Sequence, residues 1–467
     1  MRPILSLGAA LAMAGCVAGP PAELATPPPV LPDSFAFAPD AATGTSLAAL
    51  LPLHDPAFAD LAALTLADAP TLEQAAARIG IARAGAARAG AERSPNIAAD
   101  ASVIAARTNP DQFGANLPPG IDIATRRVRY GANLAASWDP DLFGRLRARE
   151  DAAWARLDAA TFEAAAIRNM LLAELAAAVI DWRTLDARQA ALKEDLAAAN
   201  ELARLAEVRE RAGISPGFDR VRAESAGAAS RSRIEALESE RARLAGQVTT
   251  LAGVSAQRVL DRLAQPAARR TQPPAPKALP SSLLKNRPDV LVAAARLRAE
   301  DADLAATAAQ RFPQLTLSAA IGLLAFDLGG LFDDDAVVAS AGPSLLAPLL
   351  DFGRIEAEID GAAAEKRLAF AQYRDAVFTA LGDAETAYGL VAASDRELAS
   401  AEREAASLER AARLADTRYR AGLADFLTVL EARRAADASG ERAALARGRA
   451  DRARVALWRA LGGSPLD

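Results

Sequence analysis

The sequence predicts a mainly α-helical protein with a small β part. It reads as a duplicated unit, each copy holding one β-hairpin and one long coiled-coil helical hairpin. Three observations predict this. Two long runs lack proline: Asp141–Ser215 after Pro140, and Leu349–Ser464 after Pro348. Both are rich in Ala, Leu, Arg and Glu, good helix formers, and the absence of proline permits very long helices. Landmarks also recur at a nearly constant offset. Pro70 and Pro288, like Pro95 and Pro313, stand 218 positions apart; Phe143 and Phe352, like Gly213 and Gly422, stand 209 apart. A period this long marks a duplicated half rather than a solenoid repeat. Finally, a period-two stretch precedes the second run, and a weaker one precedes the first.

Residues 1–15 read as a signal peptide: Arg2 supplies the positive end, Ile4 to Met13 the short apolar core, and Ala14-Gly15 the small residues before cleavage. Leu11-Ala12-Met13-Ala14-Gly15-Cys16 resembles a bacterial lipobox, in which Cys16 is acylated and becomes the mature N-terminus. Val17 after Cys16 favours outer-membrane sorting by the same analogy. Residues 16–60 are crowded with prolines, among them Pro20, Pro27 to Pro29, Pro39 and Pro56, and predict a lipidated extended tether. His54 lies in it and is expected at the surface.

The first structural repeat is assigned to 61–265, a Pro-rich linker to 266–280, and the second repeat to 281–467. Pro70-Thr71 and Pro288-Asp289 each open an Ala-rich amphipathic run, as expected of a helix start. In the second half Leu315, Leu317, Ala319, Ile321 and Leu323 alternate with Thr316, Ser318, Ala320, Gly322 and Leu324. Val128 to Trp138 alternates more weakly in the first. Each half therefore offers two strands around a loop. The second half is nine residues shorter in this interval, and that difference belongs in the loop, where Asn109-Pro110 and Pro118-Pro119-Gly120 are turn formers. The strands are long enough to cross a bilayer when tilted, and weak alternation is normal for membrane barrels. Soluble hairpins packed on helices would give the same pattern; the lipobox favours the barrel. Four strands cannot close one, and open edges do not survive in lipid, so a spanning sheet requires several chains.

Both halves then place 69 positions between a glycine pair, Gly144 to Gly213 and Gly353 to Gly422. Leu171, Ala178, Leu185, Leu192, Ala199 and Ala206 recur every seven residues, as do Val377, Ala384, Val391, Leu398, Ala405 and Ala412. These are the seams of coiled-coil packing. Arg211-Ala212-Gly213-Ile214 and Arg420-Ala421-Gly422-Leu423 are near-copies that end the long helices, and glycine there fits a helix C-cap.

Composition narrows the function. Net charge is −5 and aromatics are 5%, with no basic stripe, which disfavours nucleic acid. One cysteine and one histidine leave no material for a zinc site, a disulfide framework or a Cys/His nucleophile pair. No glycine-rich phosphate loop is present. Carboxylates are plentiful but spread along helices. No catalytic residue, metal ligand or cofactor is therefore assigned, and an enzyme is disfavoured; the expected non-protein group is the lipid on Cys16.

Several motifs carry a family resemblance: Arg287-Pro288-Asp289-Val290, Ala295-Arg296-Leu297-Arg298-Ala299, Phe312-Pro313-Gln314-Leu315, Leu350-Asp351-Phe352-Gly353-Arg354, and Tyr419 to Ala432. Together they resemble the TolC-like outer-membrane factors, in particular the NodT-like lipoproteins of RND efflux systems, over nearly the whole mature chain. The resemblance implies a homotrimer. Its twelve strands would form one outer-membrane β-barrel and its helices a periplasmic tunnel. It would be a passive exit duct for small molecules, lipid-anchored in the outer membrane and reaching into the periplasm. A periplasmic adaptor and an inner-membrane efflux pump would be its partners. The motif positions of the family's periplasmic gate are Leu427, Thr428 and Glu431 here. Glu431 stands where Asp is frequent, and Thr428 where some members carry a second acid. Arg418 and Arg420 are expected to support the closed turn through charge-assisted hydrogen bonds. Other readings are a type I-like protein-secretion duct, and, from another class, a periplasmic adaptor or coiled-coil scaffold lipoprotein. An adaptor would carry one helical hairpin rather than two.

Overall fold

In the computed structural model the described residues are 26–27, 29–41, 44–107, 109, 126–214, 216–267 and 271–463. The signal peptide, Cys16, the start of the tether and most of the first hairpin loop lie outside them.

The first half runs α1 (Pro56–Asp68), α2 (Pro70–Ala91), β1 (Asn96–Arg107), β2 (Arg126–Trp138), α3 (Arg145–Arg211), α4 (Phe218–Ala252) and α5 (Ala256–Leu263). The second runs α6 (Pro280–Asn286), α7 (Pro288–Ala308), β3 (Gln314–Ala325), β4 (Val337–Leu346), α8 (Arg354–Arg420) and α9 (Phe426–Ala460). The duplication holds closely. α3 and α8 each have 67 residues, and α4 and α9 each have 35. Residues 108–125 join β1 to β2, whereas residues 326–336 suffice between β3 and β4, so most of the length difference falls in the loop.

The chain divides into two compact units that do not follow the halves. One takes residues 80–159 and 294–372; the other takes 28–79, 160–293 and 373–467. In the first unit, β1-β2-β3-β4 form one antiparallel meander in chain order. β4 contains Pro343, which an edge strand accommodates because its amide side need not pair. The turns from sheet to long helix explain the Asp-Phe-Gly-Arg motif. The Asp351 carboxylate accepts from Gly353 N (3.1 Å) and Ile355 N (2.9 Å), capping α8. Phe352 and Gly353 sit at φ +54° and +86°, a left-handed conformation that glycine adopts without strain. In the first half Asp141 caps α3 through Leu146 N (2.9 Å) and Arg147 N (2.7 Å), at φ +52°. The Ile355 and Gly353 amide bonds hold the Asp351 carboxyl below its ordinary range. Phe143 stacks on Phe312, ring centroids 4.8 Å apart.

The second unit carries the main core. Leu171, Ala178, Leu185, Leu192, Ala199 and Ala206 are all buried, as the heptad spacing predicts, and so are Val377, Ala384, Val391, Leu398 and Ala412. Trp182, Tyr388 and Trp458 add bulk to an alanine-rich interior.

Two segments differ from a free tether and a loose linker. Phe35, Leu50, Leu51 and Asp55 are buried; Phe35 packs on Tyr388 at 5.4 Å, and Asp55 takes a forked bond from Arg183 at 2.8 and 3.0 Å. Prolines keep this stretch extended, but Phe35, Leu50 and Leu51 dock it against the helices. His54 is exposed. In the linker, Pro276 O accepts from Tyr388 Oη (2.8 Å) and Pro273 O from Arg454 Nε (2.8 Å).

The Arg-Pro-Asp motif is a clasp. Buried Arg287 bonds Asp289 (3.0 and 2.5 Å), Asp383 (3.0 Å) and Ala460 O (3.2 Å). It thereby ties the start of α7 to α8 and to the end of α9.

Candidate functional site

The sheet has two chemically different faces, fixed by register, because opposed residues share a face. One face carries the rows Ile97-Ala136-Ala319-Ala341, Ala99-Leu134-Ile321-Ala339 and Ala101-Ala132-Leu323-Val337, then Val103-Tyr130-Ala325. It bears no charge between Trp138 and Val128. Tyr130 and Trp138 mark its two ends, about 26 Å apart along the strand at ~3.3 Å per residue. Trp138 Nε1 donates to Arg93 O (2.9 Å). The opposite face carries Asn96-Ser137-Ser318-Gly342 and Asp100-Asn133-Gly322-Val338, with Thr316, Ser340, Ser344, Arg127 and Arg129 beside Ile104 and Leu324. There Asn133 Nδ2 donates to Asp100 Oδ1 (3.4 Å).

Every residue of β1 and of β4 is exposed. The sheet thus presents two unpaired edges of twelve and ten residues. Long exposed edges are templates for another chain.

At the other candidate site, α8 ends at Arg420, Gly422 takes φ +75°, and α9 begins at Phe426. Leu423 N donates to Arg418 O (2.7 Å), closing the helix in a Schellman-type turn. The Asp425 carboxylate caps α9 by accepting from Thr428 N (2.7 Å), and the Thr428 hydroxyl, then this amide, hold its pKa low. Phe426, Val429 and Leu430 are buried against Leu202, Ala223, Ala415 and Tyr419. The opposite face of this first turn presents Leu427, Thr428 and Glu431, all exposed. The three gate positions are therefore brought onto one face.

Arg418 and Arg420 are exposed; Arg420 Nε pairs with Asp416 (2.9 Å), one turn back in its own helix. What the sequence reading missed is Arg209. Its guanidinium donates to Tyr419 O (3.1 Å) and lies 4.1 Å over the Tyr419 ring, joining the end of α3 to the end of α8. Nothing local marks Arg209, since its partner is 210 positions away. The Asp425 cap was legible as an acid just before an apolar-periodic run.

A sheet with one hydrocarbon-compatible face and one polar face, in a chain that also carries long helical hairpins, defines the class of β-spanning channel subunits. The comparisons give the family. The family model described as outer membrane efflux protein matches residues 61–254 and 279–463, and the chain belongs to that family. It is 32% identical to the pyoverdine export outer membrane protein OpmQ of Pseudomonas aeruginosa over 72% of this chain and 70% of the relative. It is 28% identical to the toluene efflux pump outer membrane protein TtgI of Pseudomonas putida over 90% and 88%. Among solved structures, the outer-membrane channel OprN superposes with TM-score 0.81 at 28% identity, covering 94% of this chain and 99% of OprN. The protein is thus an efflux channel component of the outer membrane.

Proposed function

We propose that three copies assemble into one exit duct of a tripartite, RND-type efflux system. The observation that carries this is the two-faced sheet with two free edges. Pairing β1 of one copy with β4 of the next continues the antiparallel order and pairs both rows of backbone groups, Pro343 excepted; three copies give a twelve-stranded barrel. The apolar face then meets lipid, with Trp138 and Tyr130 at its borders, and the face with Asp100, Asn133, Arg127 and Arg129 lines the lumen. The helical hairpins extend the duct through the periplasm. Passage is passive, so an inner-membrane pump supplies the energy and a periplasmic adaptor joins it to the hairpin tips. Acylated Cys16 anchors each copy in the outer membrane. Relatives named for pyoverdine and toluene support small molecules as cargo.

Leu427, Thr428 and Glu431 form the constriction. In three copies Leu427 excludes water, and the Glu431 carboxylates repel one another unless a cation sits between them. Arg418 and Arg420 stand behind this ring.

The test is planar-bilayer conductance of the detergent-solubilised protein, with its mass determined in parallel. Discrete channels from a trimer are expected. A folded monomer without channel activity would overturn the assembly.

A further inference from the structure

Within the larger compact unit, the segment before α1, α3, the linker after α5 and α9 enclose a cavity of about 410 Å³. This falls in the size range of small-molecule sites. Leu50, Leu51, Val179 and Ile180 make one wall apolar. The charged groups of the lining are mostly spoken for. Arg183 is held by Asp55 at 2.8 and 3.0 Å, Arg454 by Asp395 at 2.9 and 3.0 Å, and Arg447 by Glu402; Asp186 takes Arg241 at 2.8 Å.

Asp451 on α9 is different. Arg447 and Arg454 act on it through space, but among the described residues no hydrogen bond holds its carboxylate. An ionised carboxylate without a donor in a half-buried site is costly, and a ligand that brings the donor removes that cost.

We infer that this cavity binds a small organic cation with an apolar body, its ammonium group seated on Asp451 and its hydrocarbon against Leu50, Leu51, Val179 and Ile180. A neutral ligand would bring the carboxylate no charged donor, and an anion would be repelled by it. The inference does not rest on the trimeric reading.

Burial pushes the Asp451 carboxyl up to about 6, so it is ionised at neutral pH and protonates in mild acid. Affinity for a cation should therefore fall as pH drops through that value. Arg454 and Arg447 on α9, Arg183 and Asp186 on α3, Asp395 on α8, and His54 and Asp55 ahead of α1 share this environment. Asp451 itself is therefore the group varied.

The experiment is calorimetric titration of the purified full-length protein with 1-naphthylmethylamine, using 1-naphthylmethanol as the uncharged control. At pH 7.5 we expect saturable binding of one amine per chain. Binding should be about tenfold weaker or more for the alcohol and for Asp451→Asn, as loss of a charged hydrogen bond implies. The wild type at pH 5 should be weakened likewise, and Ala444→Trp, which fills the cavity while keeping Asp451, should abolish binding. Circular dichroism and particle mass check that each variant is folded and assembled. No saturable binding by the wild type, equal binding of amine and alcohol, or an affinity unchanged between pH 7.5 and 5 overturns the site. The last two need no variant.

Discussion

The carboxyl of Asp437 on α9 hydrogen-bonds the carboxylate of Asp195 on α3. Ser230 on α4 donates to the same Asp195, so one acid pair joins three helices drawn from both halves. Glu409 on α8 adds negative charge from a fourth helix. Arg433, one turn before Asp437, lowers its pKa through space, yet its Nε finds no partner among the described residues. Two acids this close cannot both ionise cheaply, so they share a proton.

That proton makes stability depend on pH. Burial and then Asp195 push the Asp437 carboxyl up to about 8. The folded state thus holds the proton more tightly than the unfolded chain, whose carboxyl titrates near ~4. The stabilisation is complete below that lower value and is lost as pH rises through about 8. Thermal unfolding from pH 4 to 9 should show the melting temperature declining with pH in the wild type. The decline should be smaller in Asp437→Asn, whose amide donates to Asp195 at every pH. Parallel profiles for the two proteins would show that the pair does not share a proton.

Arg287→Ala should destabilise the folded chain by about 3 kcal/mol, the scale for deleting one member of a buried charged cluster. The loss strands Asp289, Asp383 and a carbonyl at the end of α9. Arg287→Lys should recover only part, because an ammonium cannot reproduce the forked contact with Asp289. Denaturant unfolding of the three proteins measures both.

Gly213 and Gly422 sit at φ +70° and +75°, and a Cβ built on either meets nothing within 4 Å. Alanine at each site should therefore cost only backbone strain, about 1 kcal/mol. The two substitutions should have equal effects in a stability assay. A markedly larger loss at Gly422 alone would reveal a neighbour at that tip, present only in the assembled protein.

Arg209→Ala should loosen the constriction without touching it, because it frees Tyr419 O and the Tyr419 ring behind Phe426. The expected result is a higher single-channel conductance or open probability. Arg209→Lys should be intermediate, keeping a donor but losing the planar stack. Glu431→Ala should raise conductance too, and should also weaken block by divalent cations, which Arg209→Ala should not. If Glu431→Ala leaves conductance and block unchanged, Glu431 does not line the constriction.

Much of the fold was legible because the chain says it twice. Repeated prolines and glycines, together with seven-residue seams, located α3, α4, α8 and α9. The alternation of Leu315 to Leu324 exposed β3. β1 and β4 were less visible, since alanine fills both faces of β1 and Pro343 interrupts β4. The docking of residues 35–55 was hidden for another reason: proline content reports an extended backbone, not whether Phe35 or Leu51 finds a partner. At the tip, helix spacing put Leu427, Thr428 and Glu431 together, since Glu431 stands four positions after Leu427 and three after Thr428, the spacings that make helix neighbours. Arg209–Tyr419 and Asp195–Asp437 were not readable. Each joins residues more than two hundred positions apart, and no local period encodes which charged side chain meets which.

The matched helices of the two halves carry an evolutionary consequence. Since α3 equals α8 in length and α4 equals α9, neither hairpin can gain or lose a heptad alone without putting its tip out of line with its sister. Deleting seven residues from one arm should uncouple Arg209 from Tyr419, while the same deletion in all four long helices should leave that contact in place. Insertions and deletions can accumulate singly where the copies have already diverged, between β1 and β2. After duplication, the helices could change sequence freely, but they could change length only in concert.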